Sequence, residues 1–341
     1  MASPFATAAD AARPPREASW WEGAPDGRVR CVLCPHRCLV APGGRGICAV
    51  RENRDGRLVS LVYGKAAALS LDPVEKKPLH HFHPGREILS AGTIGCNLRC
   101  PWCQNHHLVE GNAPLFDVTP AGLVAEALRT GSVGLAYTYN EPTVWYEFVH
   151  DCCRAVREAG MKNVLVTNGF IEEGPLAEIL PFVDAANVDL KGSDAALYRR
   201  IAGGLPEVER TIRTMVEKGV HVEVTSLLVT GATDGAESVR GVVEFLAALD
   251  PGIPLHLSRY FPHFRYSAPP TDPRRLEEAY RAAREKLSNV YVGNLHIGGT
   301  EDTLCPGCGA AAVRRSGYAV DLSGLSGDSC RRCGRKLRFV V

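Results

Sequence analysis

The chain of 341 residues has no run of about 18 apolar residues, the length a membrane-spanning helix needs. It also has almost no charge of either sign to spare. The 39 Lys and Arg residues against 38 Asp and Glu leave a formal +1. No global field is therefore available to recruit nucleic acid or an anionic membrane, and only a local patch could do so. The opening residues, Met1 to Pro15, lack a basic segment leading into an apolar one, so no secretory signal is read. With 45% hydrophobic residues the chain can bury one large core and carry small appendages. A soluble, cytoplasmic globular protein is the expectation, with no membrane partner and no strong nucleic-acid signal.

Cysteine is abundant instead, at 13 residues. A disulfide framework needs a secretory context and usually a small domain, and neither is read here, so reduced thiols are expected. Eleven of the thirteen fall into three groups: Cys31, Cys34, Cys38 and Cys48; Cys96, Cys100 and Cys103; and Cys305, Cys308, Cys330 and Cys333. Cys152 and Cys153 sit inside an amphipathic helical pattern and read as small core residues.

The middle group stands in Gly95-Cys-Asn-Leu-Arg-Cys-Pro-Trp-Cys-Gln-Asn105, a C-x3-C-x2-C loop at the end of an apolar stretch. A structural zinc or an electron-transfer 4Fe-4S cluster takes four protein ligands. Three thiolates on one loop leave a metal position open for a small molecule, unless a remote Cys or His supplies the fourth ligand.

Strand-like runs at residues 88–94, 134–139, 163–167, 186–190, 221–229 and 254–260 alternate with helical patterns at 121–128, 144–159, 174–180, 194–218, 237–249 and 273–287. That alternation predicts β/α units with a parallel sheet, and a seventh run at 290–297 extends or closes it. Asn140, Glu141, Asn168, Asp189, Lys191 and Arg259 all fall at or near the C-terminal ends of these strands, where such folds gather their active sites. Four domains are expected: a loose Pro/Ala-rich arm at 1–27, a cysteine-rich segment at 28–86, a core at 87–300 and a C-terminal module at 301–341.

The cysteine loop, Asp72-Pro-Val-Glu-Lys-Lys-Pro-Leu79 and Tyr137-Thr-Tyr-Asn-Glu-Pro-Thr143 resemble the radical S-adenosylmethionine (SAM) superfamily, in the branch of the glycyl-radical-enzyme activases. Within it they look like the radical SAM member of the three-component AmmeMemoRadiSam set. The resemblance implies an α/β fold built as a partial (β/α)6 TIM barrel. It also implies a 4Fe-4S cluster on Cys96, Cys100 and Cys103, with SAM chelating the fourth iron. An electron from a donor such as flavodoxin or ferredoxin would cleave SAM. The 5'-deoxyadenosyl radical would then take hydrogen from a protein or small molecule. The enzyme would be of oxidoreductase type, similar to pyruvate formate-lyase activase, and its substrate could be one of the other AmmeMemoRadiSam components.

For individual residues, the resemblance implies that Trp102 covers the adenine of SAM and shields the cluster. Tyr139-Asn140-Glu141-Pro142 aligns with a segment usually reading Gly-Gly-Glu-Pro, which receives the methionyl amino group. Glu141 matches and the two glycines do not. Asp189-Leu-Lys191 resembles the branch's Asp-x-Lys element, whose lysine reaches the SAM carboxylate. Asn168 offers a polar group to the same pocket, and His256 is a candidate near the adenosyl moiety.

The outer groups differ from the loop. Cys305-Pro-Gly-Cys308-Gly and Cys330-Arg-Arg-Cys333-Gly form paired C-x2-C-Gly knuckles, which predict a zinc ribbon, with rubredoxin-like iron using the same knuckles. Cys31, Cys34, Cys38 and Cys48 supply four thiolates for zinc or an auxiliary cluster, unless they are free or redox thiols. His80, His81 and His83 read as a polar lead-in to the first strand. A reading of a different class is a metal-dependent adaptor for protein or RNA, with zinc sites and an iron-sulfur switch.

Overall fold

In the computed structural model, residues 15–341 are described. Part of the expected arm, residues 1–14, lies outside them. The remainder of that arm is not loose. Arg16–Glu17 pairs antiparallel with Val59 and Ser60, and Trp21–Gly23 with Val29–Cys31. The Ser19 N–H donates to Glu147 and the Trp20 indole to Glu178, both at 2.8 Å. Those partners lie more than a hundred residues away, out of reach of any compositional reading.

The molecule is organised by a sheet of eight strands: β1 (Ala68–Pro73), β2 (Glu87–Gly92), β3 (Gly134–Tyr137), β4 (Lys162–Thr167), β5 (Ala185–Asp189), β6 (His221–Leu228), β7 (Leu255–Arg259) and β8 (Val290–Gly293). They lie side by side in chain order. Strands β2 to β8 are parallel, and β1 runs antiparallel along β2. The sheet is mixed, and β1 and β8 do not pair, so no closed barrel forms. The expected seventh run extends the sheet. A domain boundary at 86 and 87 would cut through the β1–β2 pair, which belongs to one sheet.

Each strand is followed by its nearest neighbour, and right-handed crossovers between sequential neighbours set the helices on one face. That face is apolar. Leu135, Leu165, Val188, Val224 and Leu257 share one buried cluster with helix residues such as Leu123, Phe148, Ile212 and Leu246. The alternate residues Ile88, Ala136, Val164 and Ala185 point the other way, as period 2 requires, and pack on Val74, Leu79 and Phe82 in a separate cluster. The single helix expected over 194–218 is two, Ala195–Arg200 and Leu205–Glu217. Pro206 is tolerated only in a first turn, so the second helix must restart beside it.

The C-terminal residues form two short β units, Thr303–Leu304 with Ala311–Ser316 and Ala319–Asp321, and Leu325–Ser326 with Ser329–Cys330. They bury their own cluster around Cys305, Ala312, Val313, Leu325 and Phe339. Among the described residues no helix is long and apolar enough to cross a membrane.

Candidate active site

The C-terminal ends of the strands surround a cavity of about 590 Å³. Cys96, Cys100, Trp102 and Cys103 line it on one side, with Asn140, Glu141, Asn168, Asp189 and Lys191 around them. The structure thus gathers the expected residues of this site except His256 and Arg259.

The cysteine loop leaves the end of β2 and is fixed by three asparagines. Asn140 accepts from the Thr93 N–H at 3.0 Å and donates to the carbonyls of Gly95 at 2.9 Å and Ile94 at 3.3 Å. Asn97, fully buried, donates to Phe170 O at 2.7 Å and accepts from Asn168 Nδ2 at 2.9 Å. Asn105 donates to Tyr139 O at 2.7 Å. Asn140 and Asn168, expected to face a ligand, thus also hold the loop. Asn97 was not singled out from the sequence, and its position between two cysteines was the available signal.

Trp102 is 6% exposed and meets the ring of Tyr266 edge-on at 5.5 Å. Burial raises the thiols of Cys96 and Cys103 and pushes Cys100 up to about 11, against the nearby charge of Lys191. Stripping water from a thiolate has this cost unless a cation or metal compensates it. Asn168 Nδ2 and the Leu98 N–H both point at Cys96 Sγ, at 3.7 and 3.4 Å.

Opposite the loop, Glu141 is 2% exposed. It accepts from the Asn168 N–H at 2.8 Å, the Thr143 N–H at 2.9 Å and the Thr167 hydroxyl at 2.7 Å. Burial raises its pKa, and these donors work against the rise. A carboxylate has about four acceptor sites, so one is left for a ligand. Lys191 donates to Asp189 at 2.9 Å. Its pKa is raised: burial opposes the charge, but Asp189 and the Cys100 thiol outweigh it.

His256 does not reach the cavity. Its Nε2 lies 2.7 Å from Glu223 on the neighbouring strand, and its ring packs on His80 and Tyr291. It lies on the same face of β7 as Ser258, which does line the cavity, but two residues deeper in the sheet. Period 2 gives the face of a strand residue and not its depth. Arg259 turns away as well, donating to Thr271 O at 2.9 Å.

A wall of the cavity that sequence reasoning did not assign comes from the segment after β1. Lys76 and Lys77 both line the cavity and both donate to Asp72, at 2.8 and 2.7 Å. The Tyr139 hydroxyl donates to the same carboxylate, and the Lys77 ammonium lies 4.6 Å from the Tyr139 ring centre.

The donor set fits the groups that the loop motif implies. Among the described residues, the only three or more Cys, His, Asp or Glu ligand atoms within 4.8 Å of one another are those of Cys305, Cys308, Cys330 and Cys333. Cys96, Cys100 and Cys103 are not drawn together to that extent, a spacing that suits ligands which would each hold a different iron of a cluster.

An α/β sheet with three thiols and a ring of acids, amides and a lysine at its strand ends has the layout of an α/β enzyme. The family model "Radical SAM superfamily" matches residues 91–246. An uncharacterized protein of Methanocaldococcus jannaschii is 39% identical over 335 residues, covering 96% of this chain and all of that one. The pyruvate formate-lyase 1-activating enzyme of Escherichia coli is 26% identical over 162 residues, covering 44% of this chain and 65% of the enzyme. The SAM-bound crystal structure of Streptococcus suis SuiB superposes with a TM-score of 0.49 at 16% identity, covering 60% of this chain and 49% of that one. The chain belongs to the radical SAM superfamily, with homology to pyruvate formate-lyase activating enzymes.

Proposed function

We propose that the protein cleaves SAM reductively and abstracts hydrogen from a protein or small-molecule substrate. The observation that carries this is one cavity shared by Cys96, Cys100, Cys103, Glu141, Asn168, Asp189 and Lys191. Cys96, Cys100 and Cys103 would hold a 4Fe-4S cluster, and SAM bound beside it would supply the 5'-deoxyadenosyl radical on one-electron reduction.

The chain's own residues do the rest. Lys191, oriented by Asp189, presents its ammonium where the SAM carboxylate would bind, and Glu141 keeps an acceptor for the amino group. Trp102 closes one side of the cavity and excludes water from it. The electron comes from a low-potential donor of the flavodoxin or ferredoxin class in a reducing, cytoplasmic compartment.

Zinc on Cys305, Cys308, Cys330 and Cys333 completes the C-terminal module. Its sulfurs approach 3.6 and 3.7 Å in two pairs, close to the ~3.8 Å edge of a tetrahedron with Zn–S of about 2.3 Å. Which substrate the radical meets, a glycyl-radical enzyme or an AmmeMemoRadiSam component, is open to experiment. The test is anaerobic reconstitution with iron and sulfide, then dithionite and SAM. Release of 5'-deoxyadenosine by the native chain, abolished by Cys100→Ala, supports the reading. A fully loaded cluster that neither binds nor turns over SAM refutes it.

A further inference from the structure

Apart from the buried pair Cys152 and Cys153, four cysteines remain outside this chemistry, and the fold brings them together. Cys31 ends the strand Val29–Cys31, Cys34 lies in the connection that follows, Cys38 immediately precedes the strand Leu39–Val40, and Cys48 returns on the loop before Arg51–Arg54. The Cys31 N–H donates to Cys38 O at 2.9 Å, which holds those two cysteines side by side, and Cys34 lies close to Cys31, Cys38 and Cys48. A Cβ placed on Gly46 would meet Cys38 Sγ at 3.6 Å and Cys48 Sγ at 4.0 Å, so two of the sulfurs flank that one backbone position.

The sulfurs face donors. Arg51 Nη1 points at Cys31 Sγ at 3.6 Å, and the Ile47 N–H at Cys38 Sγ at 3.5 Å. The backbone N–H groups of His36 and Val50 also face the Cys34 and Cys48 sulfurs. Arg51 is 1% exposed; it forms an ion pair with Glu147, and its Nε has no hydrogen-bond partner among the described residues. A buried guanidinium turned toward sulfur suits thiolates and not thiols.

The spacing separates the two metals that four thiolates could take. A single zinc draws its sulfurs to about 3.8 Å, as the C-terminal four are drawn. No three of the N-terminal four sulfurs lie within 4.8 Å of one another. A cluster spreads its ligands, because they are shared among several irons.

We propose that Cys31, Cys34, Cys38 and Cys48 bind a second iron-sulfur cluster, closed by four protein thiolates. With no open position it binds no substrate, and its chemistry is electron transfer. A reduced ferredoxin-class donor is oxidised by one electron and the cluster is reduced by one, with no atom moved. The site abuts the Cys96–Cys103 loop. Arg99 of that loop donates to Ile47 O, and His36 Nε2 donates to Asn97 O at 2.7 Å. Gly95, at φ +88°, passes so near that a Cβ would lie 2.8 Å from Cys48 O and from a Val50 methyl. An electron-carrying centre here is the neighbour of the active-site loop.

The proposal goes beyond the function above and does not rest on it, so its test removes the active-site cysteines. The variant Cys96→Ala/Cys100→Ala/Cys103→Ala is reconstituted anaerobically with ferrous iron and sulfide. Between about two and four irons per chain are expected, with equal sulfide and a thiolate-to-iron absorption band. Adding Cys34→Ala and Cys48→Ala should lower that iron more than tenfold. Iron without sulfide, or iron that survives those two changes, overturns the proposal. Should the fivefold variant not fold, the zinc content of the native chain decides. About one zinc per chain sustains the proposal and about two overturn it.

Discussion

The Tyr139 hydroxyl donates to Asp72 Oδ2 at 2.5 Å, joining the segment after β3 to the end of β1. Tyr139 does so from φ +71°, a left-handed conformation that costs a residue with a side chain about 1–2 kcal/mol. The strain at Tyr139 is offset by the hydrogen bond its phenol makes to the buried Asp72 carboxylate. Asp72 also accepts from Lys76 and Lys77, and it is 3% exposed. Tyr139→Phe should cost about 1.5–3 kcal/mol in urea-induced unfolding, because it removes a hydrogen bond to a buried charge. Lys77→Met should cost more. In a double-mutant cycle the two changes should be non-additive, and additive costs would show that the wall does not act as a unit.

Lys191 carries the clearest prediction for ligand binding. Lys191→Ala should weaken SAM binding to the reconstituted protein by about 10- to 100-fold, the worth of one charge-assisted hydrogen bond. Asp189→Asn keeps the ammonium but loosens its 2.9 Å tether, so a smaller loss is expected. Equal affinity in Lys191→Ala and the native chain, by equilibrium titration, would remove Lys191 from the SAM site.

Asn97 tests whether the loop is held from beneath. Its side chain bridges Phe170 O and Asn168 Nδ2 while buried, and Asn97→Ala leaves both without that partner. Two unsatisfied buried polar groups cost about 1–3 kcal/mol each. Iron loading at Cys96, Cys100 and Cys103 should fall while the zinc content stays the same. Unchanged iron and sulfide would mean that Asn140 and Asn105 suffice.

The order of the β/α units was legible because each strand is a short apolar run bounded by helical periodicity, and the cysteine loop and strand-end polar residues are adjacent to those runs. What depends on long-range pairing was not. The segment Ala68–Pro73 ends in proline and shows little alternation, and only its ladder with β2 makes it a strand. Glu223 sits in an apolar run, His221-Val-Glu-Val224, and looks like a solvent-facing residue. Instead it is fully buried and accepts from the N–H groups of His80 and His81 and from the rings of His221 and His256. Nothing local to any one of those five residues reports the others.

The C-terminal cysteines support an independent prediction. Cys305→Ala should abolish zinc binding at the proposed site and lower the melting temperature, since the module's buried cluster is small and includes Cys305 and Cys330 themselves. 5'-Deoxyadenosine formation should persist in the folded fraction, because none of the four cysteines lines the cavity. Loss of that product from folded protein would join the module to the chemistry.

The same module gives the protein an acid-sensitive joint. Arg315 donates to the Thr303 hydroxyl, whose oxygen meets the Tyr291 hydroxyl at 2.7 Å, and Tyr291 in turn meets His81 Nε2 at 2.5 Å. His81 Nδ1 lies 3.0 Å from Arg338 O, and the ring stacks on Phe339 at 4.4 Å. This arrangement places the proton on Nδ1 and leaves Nε2 as acceptor, so the imidazole is neutral. Burial pulls its pKa down to about 3, against the charge of Glu223 and with that of Arg315. His80 is shifted the same way by burial. An unfolded chain protonates His80 and His81 below about 6.5 and the folded one keeps them neutral there, so at these two positions the unfolded state binds more protons. Stability should therefore be flat above about pH 7 and fall as pH drops from about 6.5 toward 3. His81→Gln should lower stability at pH 7.5 and flatten the decline between pH 6.5 and 5.5, read by urea unfolding with zinc content monitored. A variant whose decline stays as steep as that of the native chain would assign the acid response to groups other than His81.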